Sequence, residues 1–348
     1  MELPAWVRRT ALIPVLLAFA AVVSCGDGVG ESVVTVGAGD TAESAVLAEI
    51  YAGALSRGGI PAEVVPAPGD RGARLAALDS GAIDLLADHT GALTRFFDAT
   101  ALSTIASPDG GAPPLDGGAP TPGGGAPAPD GSVPVPDGGA LGGGAPGAEA
   151  PAPDAPGTSA DPAKTAAAAL ARSLPQGLVI SDPADGTDLR PRLLVSTEAA
   201  RLGDRTEAES VTAACAGRTG GLAPAPGLLD PAPPETLPNC TFATTERFAD
   251  PAALRAALLE GRIQSGILAG PVPADSTAGS TVIADATVPA ENVVPIFRDG
   301  IIDDRGRERL NQVAGELTTD DLVALVQRAE AGESPADLAR SWLDAHAL

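Results

Sequence analysis

Positive charge is in short supply in this chain: 22 Lys and Arg stand against 45 Asp and Glu, a net charge of −23. Contact with a phosphate backbone needs a basic face, so nucleic acid is not expected as a partner. Histidine is nearly missing too. His89 and His346 are the only two, too few for a histidine-based metal centre. There is no GxSxG, no P-loop, no HExxH and no CxxC pair, the patterns that supply an activated nucleophile, a phosphate cradle, a zinc site or a redox pair. Asp88 beside His89 offers an acid and a base, but neighbours on a strand point to opposite faces. No catalytic residue, metal or cofactor is therefore expected, and the chain reads as a binder rather than an enzyme.

Cysteine is equally sparse, with three in the whole chain. The first, Cys25, closes residues 1–25, where Arg8 and Arg9 precede the apolar run "ALIPVLLAFAAVV". That run is too short and wrongly flanked for a spanning helix and reads as an export signal. Its end, "VVSC", resembles a bacterial lipobox, which makes Cys25 the expected lipidation site and the first mature residue. The expected location is the outer face of the cytoplasmic membrane, with the membrane contacted through the lipid anchor. The alternative is an ordinary cleaved signal with a chance cysteine. Cys215 and Cys240 form an even pair in the exported part, which favours a disulfide over two separate buried thiols.

Residues 107–160 lack aromatic residues, Lys and Arg altogether, while "PDGGA" recurs at 108–112 and 136–140 and "GGGAP" at 123–127 and 142–146. Such a composition buries too little apolar surface to offset its ordering entropy, so a disordered insertion is expected there.

What remains alternates strand and helix. "VVTV" at 33–36 reads as a strand, and Asp40 three residues before Glu43 as a capping-box-like helix start. Val46, Leu47, Ile50 and Tyr51 then recur at helical spacing until Gly58 and Gly59. "AEVV" at 62–65, a helix ending at Gly81 and the strand "AIDLLA" complete a β-α-β-α-β pattern, that of a parallel sheet with helices on its faces. "LAALDSGAID" at 75–84 lines up with "RAALLEGRIQ" at 255–264, which suggests two similar lobes. Ligands of open α/β sheets bind beyond the carboxyl ends of the strands, so facing lobes enclose a cleft between such ends. Near the carboxyl end, Ser334 is the expected N-cap before Pro335 and Asp337, and Leu338, Trp342 and Leu343 make a buried stripe.

The stretch "IDLLADHTGALTRFF" at 83–97 empties an apolar strand into Asp88, His89, Thr90 and Gly91. Together with "VTVGAGDTAESAVLAEIYAGAL", "GLVISDPADGTD" and "LNQVAGELTTDDLVALVQRAEAGESPADLARSWL", it resembles the glycine betaine/choline (osmoprotectant) substrate-binding proteins of ABC importers. The resemblance implies an α/β, two-lobed periplasmic-binding-protein fold (type II-like) of mixed sheets flanked by helices. Lobe 1 would combine 33–90 with 288–348, and lobe 2 would combine 91–106 with 161–287. It further implies a small-molecule solute held between the lobes, an ABC permease as partner and a monomeric binding protein.

The departures from that family are chemical. Its quaternary ammonium ligands are held by aromatic faces. Here His89 stands where the family has Tyr, Glu291 and Asn292 replace Tyr and Gln, and the one tyrosine, Tyr51, occupies a core helical position. The cleft would instead offer Asp40, Thr41, Asp88, His89, Thr90, Thr187, Asp188, Glu291 and Asn292, a set suited to a ligand with N–H donors. Taken singly, each of these is as well explained as a turn or cap residue. The leading expectation is a solute-binding lipoprotein that delivers an osmolyte-like solute to its permease; the alternative is a scaffold without transport, acting as a surface sensor or interaction lipoprotein.

Overall fold

A computed structural model describes residues 33–101, 161–197, 207–271, 279–283 and 288–348. The expected signal segment at 1–25, with Cys25, and the expected insertion at 107–160 lie outside these residues. The described elements are two five-stranded mixed sheets, each covered by helices on both faces.

The first sheet takes β1 (Val34–Ala38), β2 (Ala62–Pro66), β3 (Leu85–His89), β4 (Leu178–Ile180) and β10 (Val293–Arg298), in the order β2-β1-β3-β10-β4. β1 is parallel to β2 and β3, and β10 runs antiparallel to β3 and β4. One face carries α1 (Ala42–Arg57), α7 (Asp304–Glu316), α8 (Thr319–Glu330) and α9 (Pro335–Ala345) over a core built on Leu47, Ile50, Tyr51, Phe297, Leu310 and Leu343. The other carries α2 (Arg71–Ser80), α3 (Thr90–Phe97) and α4 (Pro162–Ser173), with Leu78, Leu93 and Leu170 packed on Leu86 and Ile296.

The second sheet repeats the plan with β5 (Arg192–Ser196), β6 (Thr219–Ala223), β7 (Thr244–Arg247), β8 (Ser265–Leu268) and β9 (Ser280–Ile283), in the order β7-β6-β8-β5-β9. Here β6 is parallel to β7 and β8, and β5 is antiparallel to β8 and β9. α5 (Glu207–Cys215) and α6 (Pro251–Leu259) cover its faces, and a disulfide joins Cys215 to Cys240. The two halves match in detail. Ile83, just before β3, fills the space left by Gly37 of β1, and Ile263, just before β8, fills that left by Gly221 of β6. A side chain at either glycine would strike the isoleucine methyl at 2.6 or 2.7 Å.

Three local expectations change. α3, α4 and β4 pack on the first sheet, although residues 91–106 and 161–180 were expected in the second lobe. The apolar faces of α3 and α4, through Leu93 and Leu170, are needed to cover that sheet, and β4 completes its antiparallel edge. The chain therefore first crosses between β4 and β5 and returns between β9 and β10. The cap of α1 is Thr41, whose side chain accepts the Ser44 amide at 3.2 Å, rather than Asp40. β3 extends through Asp88 and His89, so Thr90 is the first residue of α3 and not its cap. At the carboxyl end Ser334 does accept the Asp337 amide.

Candidate functional site

Asp88 and His89 end β3 fully buried, and their side chains diverge as strand neighbours must. Asp88 faces α2, where the Arg71 guanidinium grips it from Nε at 2.9 Å and Nη2 at 2.8 Å. The same guanidinium donates to Asp230 from Nη1 at 3.1 Å and Nη2 at 2.8 Å. His89 faces α1: its Nε2 lies 2.7 Å from Glu43 Oε1, while its Nδ1 lies 3.4 Å from Asp230. Glu43 Oε2 in turn accepts the Leu229 amide at 2.6 Å, and the Glu43 amide donates to the Gly227 carbonyl at 2.9 Å. Glu43, Arg71, Asp88 and His89 come from the body of the first sheet. Gly227, Leu229 and Asp230 lie on the loop that follows β6 of the second. One charge network thus clasps the two lobes.

The network fixes charge states. Burial alone would push the His89 imidazolium toward its neutral form. The Glu43 charge, hydrogen bonds with Asp230 and Glu43, and the Asp88 charge outweigh it and hold His89 well above its ordinary pKa. Burial would likewise raise Asp230, but hydrogen bonds from His89 and Arg71 and their charges carry it well below the usual carboxylate range. Arg71, against its own desolvation, is held on the charged side by Asp88 and Asp230.

A second pair stands at the start of α3. Glu291, on the return crossing, accepts the Ala92 amide at 2.9 Å through Oε2 and pairs with Arg95 Nη2 at 2.5 Å through Oε1. A carboxylate over a helix N-terminus meets free N–H groups and the positive end of the dipole. Gly91 makes this approach possible, because a Cβ there would sit 2.6 Å from Glu291 Oε1.

Between these groups lies a cavity of about 340 Å³. His89, Arg95, Asp230 and Glu291 give it polar walls; Leu189, Leu228, Leu237, Val288 and four prolines give it apolar ones. None of the described residues that line it is Phe, Tyr or Trp. Tyr51 and Phe297 are fully buried in the core of the first lobe.

Of the residues expected at the site, His89 and Glu291 line this cavity and Asp88 stands directly behind it. Asp40 is exposed and accepts the Gly69 amide at 3.0 Å, while Thr41 caps α1. Thr90 Oγ1 donates to the Ala290 carbonyl and accepts the Asn292 amide. Thr187 Oγ1 accepts the Val293 amide at 3.0 Å, Asn292 Nδ2 donates to the Thr187 carbonyl, and Leu189 donates to the Glu291 carbonyl at 2.8 Å. Asp188 is taken up by Arg190 and Arg192. Thr90, Thr187 and Asn292 stitch the two crossing segments to each other and to the first sheet, Asp188 ties its own segment to the start of β5, and none of the four lines the cavity. Glu43, Arg71, Arg95 and Asp230 were missed. Glu43 and Arg71 each open a helix beside a cap, a place where a charged residue has an ordinary local explanation. Asp230 lies between Cys215 and Cys240, outside every stretch that carries the resemblance.

The fold and the cavity define a class: an α/β protein of two similar lobes with a cavity between them. Residues 32–117 match the family model described as the substrate binding domain of an ABC-type glycine betaine transport system. This bears out the resemblance seen in the sequence, and the matched family is one of transport binding proteins, not enzymes. Among solved structures, a glycine betaine/carnitine/choline ABC transporter protein is similar, with 14% identity and a TM-score of 0.55 over 90% of this chain and 98% of that one. Apo YehZ from Escherichia coli is similar as well, with 14% identity and a TM-score of 0.53 over the same shares. At such identity these likenesses establish the fold, including its two-lobed plan. A search among curated proteins returns no match. Among the described residues no helix is long and apolar enough to cross a membrane.

Proposed function

We propose that this protein is an extracytoplasmic substrate-binding lipoprotein of an ABC importer, anchored through Cys25, monomeric, and charged with delivering an osmolyte-like solute to its permease. One observation carries the reading: the cavity takes charged walls from both lobes, His89 and Arg95 from the first and Asp230 from the second. A guest that touches both walls favours the closed arrangement over the open one, the state difference a permease needs to read. The family match of residues 32–117 supports the same class.

The test is a melting screen of the mature protein against a broad panel of osmolytes, amines and amino acids. A true guest at a hundred times its Kd adds about 2.7 kcal/mol of stability. If nothing in the panel moves the transition, the transport reading falls. The lack of Phe, Tyr or Trp among the described lining residues then favours the alternative, a binding-protein scaffold that acts as a surface sensor.

A further inference from the structure

The walls of the cavity differ from those that hold a quaternary ammonium. Such a cation has no N–H and is attracted to the faces of Trp, Tyr and Phe rings; no described lining residue is one of these, and the His89 ring is itself held cationic. In their place stands Asp230. Its side chain is 43% exposed in spite of its bonds to Arg71 and its contact with His89, so oxygen lone pairs remain open to the cavity. It is held ionised by those same partners and can accept hydrogen bonds only. A second group of opposite character lies on the other lobe. Arg95 of α3 is half exposed and gives one nitrogen to Glu291, which leaves guanidinium N–H groups of its planar fork at the cavity. Leu189, Leu228 and Val288 between them suit an aliphatic body.

We propose that the solute of this cavity is a small zwitterion whose cationic nitrogen keeps at least one N–H, with that N–H set on Asp230 and its carboxylate on Arg95. The inference rests on the proposed binding function and narrows it. Each end of the guest is held by a different lobe, so a complete zwitterion closes the cleft and either half alone does not. A fully methylated nitrogen keeps its charge but offers no donor to the Asp230 lone pairs that Arg71 leaves open, and an acceptor position left unpaired when the site closes is costly.

The experiment is calorimetric titration of the mature protein with glycine, sarcosine, dimethylglycine and glycine betaine, which share a carboxylate and carry three, two, one and no N–H. Binding should persist through dimethylglycine and weaken at least about tenfold at glycine betaine, the loss expected for one charge-assisted hydrogen bond. Dimethylaminoethanol, which keeps the N–H and lacks the carboxylate, should bind at least about tenfold more weakly than dimethylglycine, and Arg95→Gln should shrink that gap. Betaine binding as tight as dimethylglycine, or tighter, overturns the proposal and leaves the binding function standing. Failure of all four, while another solute of the broad panel shifts the melting transition, overturns it in the same way. If no solute of any kind binds, the functional reading fails with it.

Discussion

Gly91 has no side chain, and the Glu291 carboxylate occupies the space one would fill. Gly91→Ala should drive that carboxylate off the Ala92 amide and lower stability by about 1–3 kcal/mol, the cost of a lost charged hydrogen bond. Urea unfolding measures this, and a midpoint equal to wild type would show that Glu291 relaxes freely. His89 supplies a second residue-scale prediction. Its folded pKa lies above the unfolded value of about 6.5, so the stability it adds is complete below that pH and is lost as pH rises through the folded value. Melting temperature should therefore fall as pH rises from about 6.5 through the folded value in wild type, and fall less in His89→Gln. Parallel curves would remove the imidazolium from the clasp. Asp230 works with the opposite sign: its folded pKa is depressed, so its contribution is present above about pH 3.9 and is lost as pH falls toward the folded value.

Elements show why part of this site was legible and part was not. The boundaries of α1, α2 and α9 rest on local chemistry. Gly81 ends α2 at φ +77°, and Ser334 and Pro335 open α9. A reader of sequence sees such signals because partner and signal lie within a few residues. The clasp has no local signal, since Arg71 and Asp230 are 159 residues apart and Glu43 and Leu229 are 186 apart. Thr187 and Asn292 misled for a related reason: the polar groups that hold two crossing segments together are of the same types as those that hold a guest. The loop carrying Asp230 can be tested directly. Gly227 has φ +81°, and a Cβ there would lie 2.7 Å from Val326 of α8. Gly227→Ala should cost about 1–3 kcal/mol in strain and raise hydrogen exchange at the Glu43 and Leu229 amides together. Exchange unchanged at both would mean the loop is not docked through this contact. Replacing Cys215 and Cys240 by Ala removes a cross-link spanning 25 residues, with an expected loss of about 3 kcal/mol in the chain-entropy model.

At the scale of the whole molecule, the repeat glimpsed in two ten-residue segments proved to be an entire sheet plan used twice. It was visible because Ile83 and Ile263 each follow a glycine, Gly81 and Gly261, by two residues. The assignment of α3 and α4 to a lobe was not visible, since an apolar face such as that of Leu93 or Leu170 does not specify in sequence which sheet it covers. Their joint packing bears on the segment between them. Replacing 107–160 with a short Gly-Ser linker is expected to leave melting temperature and solute affinity unchanged, as calorimetry of the shortened chain would check. A clear loss of either would give that segment a part in folding or binding.

The two crossing segments are bonded to each other at Thr187, Leu189, Glu291, Asn292 and Val293, and so behave as one flat strip instead of two independent tethers. A strip bends easily across its plane and resists shear within it. A hinge about that strip is therefore the motion expected of the two halves, and the contacts of Arg71 and His89 with Asp230 are what such an opening must break.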